Sequence, residues 1–167
     1  MNEKELAYLI EIIQTKLRDQ KNIRWYVDGS ASLLISGIPI DINDLDITTD
    51  DVGINYLKTI FEEFIKKYEI VEKDLPDNKK ERLEILLLNI DNYDVEIINY
   101  IDRSKEIFDH IEIGHISDLN VFILPLNKML EFYKKINRTE KIKIIQDFLA
   151  SINKKIDIDQ REVISLM

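Results

Sequence analysis

One stretch constrains the fold of this chain more than any other: Trp25 to Asp46, reading WYVDGSASLLISGIPIDINDLD. Residues 23–27, with Trp25 and Tyr26, are β-branched and aromatic and predict a strand. Asp28-Gly29-Ser30 interrupts it. The apolar residues 31–36 then start a helix that Gly37 and Pro39 end. Residues 45–48 predict a second short strand, with a carboxylate on either side of Leu45. A chain that turns from strand to helix and back so quickly must lay helices against a sheet. Gly29 permits unusual dihedrals and a close approach to the backbone. The new helix offers free N–H groups and the positive end of its dipole, and Ser30 adds a hydroxyl. Together these would cradle a phosphate, although a Gly-Ser at such a turn is by itself more often only a turn and cap.

The remaining pattern fits the same architecture. Leu6, Leu9, Ile10, Ile13 and Leu17 fall at helical spacing and predict an amphipathic helix over 3–19. Thr49-Asp50-Asp51 supplies N-cap chemistry for a helix over 52–68, with a stripe of Leu57, Ile60, Phe61, Phe64, Ile65 and Tyr68. Residues 70–72 suggest a brief strand, and 75–80 a polar loop with Pro76. Runs over 83–90 and 93–100 flank Asp91-Asn92 and predict a hairpin. Leu83, Leu86, Leu87 and Ile90 also suit a helix, but the β-rich second run needs a partner. After Asp102 come a short helix, strands over 111–113 and 121–124, then helices over 126–136 and 140–152 and an amphipathic segment over 159–166. The expectation is an α+β fold: a mixed sheet with helices packed on it (1–124) and a C-terminal helical segment (125–167) packed on that core.

Composition narrows the chemistry. With 167 residues and only four Gly and three Pro, the chain suits one compact domain without long linkers. There is no cysteine, and His110 and His115 stand apart from any partner motif, which argues against a thiolate or His-based zinc site. A bound metal would be a hard cation held by oxygen. The net charge of −9 disfavours a protein whose main task is gripping nucleic acid. No apolar run reaches spanning length, and the polar opening Asn2-Glu3-Lys4-Glu5 is unlike a signal peptide, so the expected compartment is the cytoplasm.

Two acid-x-acid pairs carry the functional signal. In a strand, residues two apart share a face, so Asp44 and Asp46 aim at one spot, and so do Asp94 and Glu96. Paired carboxylates repel, and a divalent cation removes that cost. Taken singly, each pair also suits a loop rim or a solvent-facing sheet. Trp25 reads as core, the two histidines as surface or cap residues, and Lys134, Lys135 and Arg138 as a solvated helix face that could reach phosphates. The apolar seam of the last two helices is ordinary core patterning that could also form a homodimer interface.

The ordered set is Trp25 before the glycine turn, a small apolar helix ending in Gly37, Asp44-Leu45-Asp46-Ile47, and later Asp94-Val95-Glu96. It resembles the nucleotidyltransferase superfamily with polymerase-β-like cores, most of all the aminoglycoside nucleotidyltransferases and their relatives. The resemblance covers residues 3–100 well and is looser over the C-terminal helices. It implies a triphosphate held by Gly29 and Ser30, with Lys134 and Arg138 available from the helical side. It implies metals at Asp44, Asp46 and a third acid; Asp94, the first of its pair, matches best, with Glu96 as alternative. The implied cofactor is Mg2+ (or Mn2+), and the implied donor is ATP or another NTP giving up AMP or another NMP. The expected acceptor is a small cationic or neutral hydroxyl compound rather than nucleic acid, because the acids of the cleft, Asp41 and the net charge of −9 oppose a polyanion, and no membrane partner is expected. One departure is that residues 38–43 carry no basic residue and add Asp41. A nucleotidyltransferase of a toxin–antitoxin or defence pair acting on protein or RNA, and a non-catalytic nucleotide-binding domain, are the alternatives.

Overall fold

The computed structural model describes residues 1–75, 79–103 and 106–165, with side chains described to residue 153. Its elements are α1 (Glu3–Leu17), β1 (Trp25–Val27), α2 (Gly29–Ile35), β2 (Leu45–Thr49), α3 (Asp51–Ile60), β3 (Ile65–Asp74), β4 (Lys80–Ile90), β5 (Tyr93–Tyr100), β6 (Glu112–Ile116), β7 (Leu119–Ile123), α4 (Leu126–Lys135) and α5 (Thr139–Ser165). The strands form one mixed sheet in the order β3-β4-β5-β2-β1-β7-β6, so the fold is the expected α+β arrangement. β2 runs parallel to β5 and antiparallel to β1, which places it in the middle of the sheet.

Local chemistry sets most element ends. Asn2 caps α1 in a capping box with Glu5. Asp50 caps α3 by accepting from the Gly53 N–H at 2.9 Å. Asp91 and Asn92 both adopt positive φ (49° and 68°), as a two-residue hairpin turn with strand-matched twist requires. One sheet face is sealed by α1 and α3. Leu6, Ile10 and Ile13 of α1 and Ile54 and Leu57 of α3 pack with Val27, Leu45, Ile47, Val95 and Ile97 in the main core, and all ten are essentially buried. Trp25 also lies in that core, 8% exposed. Met129 and Tyr133 of α4 and Ile145 of α5 close a second cluster on Leu33 and Ile38. The described part of the C-terminal seam is therefore intramolecular packing. Among the described residues, no helix is long and apolar enough to cross a membrane.

Three expectations are corrected. The helix expected over 52–68 stops at Ile60, and a 3-10 turn over Glu62–Phe64 leads into the ten-residue strand β3. Ile65 and Tyr68 had seemed to extend the helical stripe. However, β4 offers a long unpaired edge, and Tyr68↔Leu86 through Asp74↔Lys80 pair along it. Tertiary hydrogen bonding overrides a local period that fits both structures. The strand expected over 111–113 is Glu112–Ile116, joined to Leu119–Ile123 by a turn in which Ser117 takes φ 49°. That turn has no glycine to announce it. The helix expected over 140–152 runs without a break from Thr139 to Ser165, so its backbone absorbs the separate segment expected at 159–166, whose last residue lies outside the described residues. Pro76 of the expected polar loop lies outside them as well.

Candidate active site

The sheet face away from α1 and α3 carries a row of acids across three strands. In the parallel β2–β5 pair, Asp46 stands opposite Glu96, and Thr48 opposite Ile98. Across β1, the Asp28 N–H donates to the Asp46 carbonyl at 2.9 Å. The Asp28 carboxylate accepts from the Gly29 N–H at 2.8 Å and from the Thr48 hydroxyl at 2.9 Å. Asp28, Asp46 and Glu96 thus stand side by side and line one cavity of about 650 Å3, together with Gly29 and Ser30. Asp44 sits on the bend just before β2, half-buried.

The turn at Gly29 is shaped around this row. Its φ is +61°, and a Cβ built there would lie 1.8 Å from Asp46 Oδ2. Only glycine lets the β1–α2 turn close onto that carboxylate. From the opposite wall, Lys141 Nζ in the first turns of α5 donates to the Ser30 hydroxyl at 2.7 Å. Arg138 lines the same cavity.

Charge crowding shows in the acidities. Burial is the main force pushing Asp46 from its ordinary 3.8 up to about 7; Asp44, Asp28 and Glu96 push the same way, and Lys141 opposes them. Glu96 is raised chiefly by burial, with Lys73 opposing. Asp28 is raised by burial against its two hydrogen bonds. Asp94 behaves differently. Its side chain is 63% exposed, it pairs with Lys66 Nζ at 2.6 Å and accepts from Asn89 at 3.0 Å, and these partners lower its pKa.

The raised Asp46 has a measurable consequence. Between pH 3.8 and about 7 the folded chain holds a proton that the unfolded chain releases, so this group's contribution to stability falls as pH rises through that window. Asp46→Asn removes the titration. In metal-free buffer the variant should melt above wild type at about pH 8, with the gap closing toward about pH 4. A melting temperature at or below wild type at the alkaline end would show that the row is not electrostatically strained.

Of the expected site residues, Gly29, Ser30, Asp46, Glu96 and Arg138 line the cavity. Asp44 stands beside it, close enough to act on the charge of Asp46 and Glu96. Asp94 and Lys134 do not line it; Lys134 is exposed on the last turn of α4. Two residues that sequence reasoning did not single out join the site, Asp28 and Lys141. An acid ending the strand before Gly-Ser was a visible signal for Asp28. Lys141 had none, because the packing of α5 over α2 brings it there. Asp28, Asp44, Asp46 and Glu96 offer hard oxygen donors, and acids outnumber Lys73, Arg138 and Lys141 around them, which suits a divalent cation. Among the described residues, though, no three acidic or histidine side chains gather closely enough to hold a metal ion as they stand, so a cation would have to draw these carboxylates together.

A mixed sheet with a strand–Gly-Ser–helix turn facing acids on two further strands is the arrangement that the sequence resemblance to the nucleotidyltransferase superfamily implies. The aminoglycoside-2''-adenylyltransferase family profile matches residues 9–148, and the chain belongs to that family. Among solved structures, the Thermotoga maritima protein TM1012, designated a nucleotidyltransferase, superposes with TM-score 0.70 at 23% identity, over 90% of this chain and 96% of that one. ANT(2'')-Ia in complex with adenylyl-2''-tobramycin superposes with TM-score 0.53 at 14% identity, over 92% and 94% of the two chains. The solution structure of ANT(2'')-Ia, an antibiotic-resistance factor, gives 0.52 at 12%, over 97% and 98%. At these identities the likeness is one of fold. No curated protein matches the sequence.

Proposed function

We propose that this nucleotidyltransferase moves an NMP, AMP in the first instance, from the triphosphate onto a hydroxyl of a small acceptor with release of pyrophosphate, with Mg2+ or Mn2+ held by Asp44, Asp46 and Glu96. The observation that carries this reading is the alignment of Asp46 with Glu96 beneath a turn whose Cβ space the Asp46 carboxylate occupies. Ser30, Arg138 and Lys141 line the same cavity, Lys141 donating to the Ser30 hydroxyl, and would bind and orient the triphosphate. Glu96, opposite Asp46 in the cavity, would accept the proton of the attacking hydroxyl. The cation, when bound, supplies charge neutralisation and Lewis acidity for the displacement. The rest of the catalysis is positioning of the two substrates. Asp94, tied up with Lys66 and Asn89 at the surface, takes no part.

The cavity wall also bears on the acceptor. Asp28, Asp46, Asp74, Glu81 and Glu96 outnumber Lys73, Arg138 and Lys141, so a cationic or neutral acceptor approaches more readily than a polyanion. Aminoglycosides and polyols fit that description, in keeping with the family. Calorimetry with Mg2+ and a non-hydrolysable ATP analogue should show binding in wild type and none in the Asp44→Asn/Asp46→Asn double variant. Labelled ATP, GTP, CTP and UTP should then be screened against aminoglycosides, polyols, tRNA and total protein. Equal binding by the double variant would remove the metal assignment, and label on RNA alone would overturn the acceptor class.

A further inference from the structure

We propose that Asp28 is a positioning residue rather than a metal ligand: its carboxylate bridges the Gly29 turn to Thr48 and so fixes that turn against Asp46. This rests on the acid row being the transfer site. Every polar group of Asp28 is engaged. One carboxylate oxygen accepts from the Gly29 N–H at 2.8 Å, and the other from the Thr48 hydroxyl at 2.9 Å. Its N–H donates to the Asp46 carbonyl at 2.9 Å, and its carbonyl accepts from the Ser32 N–H at 3.2 Å, which starts α2. One residue therefore ties the end of β1, the turn and α2 to two positions of β2, Asp46 and Thr48, on either side of Ile47.

This is more than ordinary helix capping. An N-cap side chain usually accepts from the second or third N–H of its helix. Asp28 accepts instead from the first, that of Gly29, and turns its other oxygen to a different strand. A partly buried carboxylate is costly unless hydrogen-bonded, and among the described residues these are its two donors, so losing one unsettles the other. The tolerance at the turn is narrow, because a Cβ on Gly29 would already lie 1.8 Å from Asp46 Oδ2. Thr48 is fully buried. It lines neither the large cavity nor the smaller one of about 270 Å3 beside it, walled by Tyr26, Tyr100 and Phe132. Its hydroxyl therefore acts on the site through Asp28 and not by touching a substrate. Asp28→Asn can keep the bridge without the charge: the amide oxygen accepts from Gly29, and the amide NH2 donates to the Thr48 oxygen. Asp28→Ala keeps neither.

The test uses the whole chain, with a non-hydrolysable ATP analogue and Mg2+ as the calorimetric probe. Thr48→Val keeps the side-chain shape and removes the hydroxyl. It should bind the probe at least about tenfold more weakly, as loss of a hydrogen bond to a charged group predicts, and Thr48→Ser should stay within about twofold of wild type. In metal-free protein, amide hydrogen exchange at Asp28 and Ser32 should quicken at least about tenfold in Thr48→Val, while Leu9 and Ile10 of α1 stay within about twofold. Unchanged probe binding, or equal quickening in α1, would overturn the positioning role. Should Thr48→Val fail to fold, Asp28→Asn and Asp28→Ala decide. Binding at least about tenfold tighter in Asp28→Asn than in Asp28→Ala supports the bridge. Equal losses in the two would show that the charge itself counts, as a metal ligand requires, and would overturn it. A wild-type protein that does not bind the probe removes the transfer site, and the exchange rates at Asp28 and Ser32 still decide whether Asp28 holds the turn.

Discussion

Gly29→Ala should reduce transfer by at least about 100-fold, the usual cost of moving a reacting centre by about 1 Å. The added Cβ would sit 1.8 Å from Asp46 Oδ2, 2.8 Å from its Cγ and 3.1 Å from its Cβ. Rotating the carboxylate tip cannot relieve a clash that reaches down the side chain to its root. Either Asp46 leaves the acid row or the β1–α2 turn withdraws from it. The backbone adds a separate penalty, because φ +61° costs an L-residue about 1–2 kcal/mol. Gly37→Ala separates the two effects. Gly37 has φ +91°, and its added Cβ would meet Phe148 at 3.5 Å, with no carboxylate within 4 Å. That variant should lose thermal stability while keeping most of its transfer rate. Single-turnover rates and melting temperatures of both variants provide the check. Near-normal transfer by Gly29→Ala would show that contact between the turn and Asp46 is not part of the machinery.

The second large effect separates two acids that share a strand. Glu96→Gln should slow transfer by about 100- to 10,000-fold, the range for removing a positioned general base. Asp94→Asn should stay within about fivefold of wild type, since an exposed ion pair is worth less than about 1 kcal/mol. Register is the physical basis. Glu96 is the Cα partner of Asp46 and half-buried in the cavity, whereas Asp94 is exposed and held by Lys66 and Asn89. The rates should be measured at saturating triphosphate, so that altered binding is not read as altered chemistry. A large loss in Asp94→Asn with little change in Glu96→Gln would move the third acid back to the family's first-acid position.

Much of this site was legible from residues alone, and the legible parts share a cause. The Asp28-Gly29 turn, the Asp50 cap, the Asp91-Asn92 hairpin and the common face of Asp94 and Glu96 are each decided within a few residues, by dihedral sterics, a side-chain oxygen or strand parity. Parity could not choose between Asp94 and Glu96, because it puts both on one face. The choice needed the β2–β5 register, a hydrogen-bonding pattern between segments some fifty residues apart. Ile65 to Asp74 likewise carried a period suited to either a helix or a strand until the β4 edge selected the strand. The sequence by itself therefore determined the turn, the acids and the class of chemistry. Only the tertiary structure decided which acid faces Asp46, that Lys141 rather than Lys134 reaches Ser30, and that an aromatic cavity opens beside Asp28. Those outcomes depend on contacts between distant segments, which no local preference encodes.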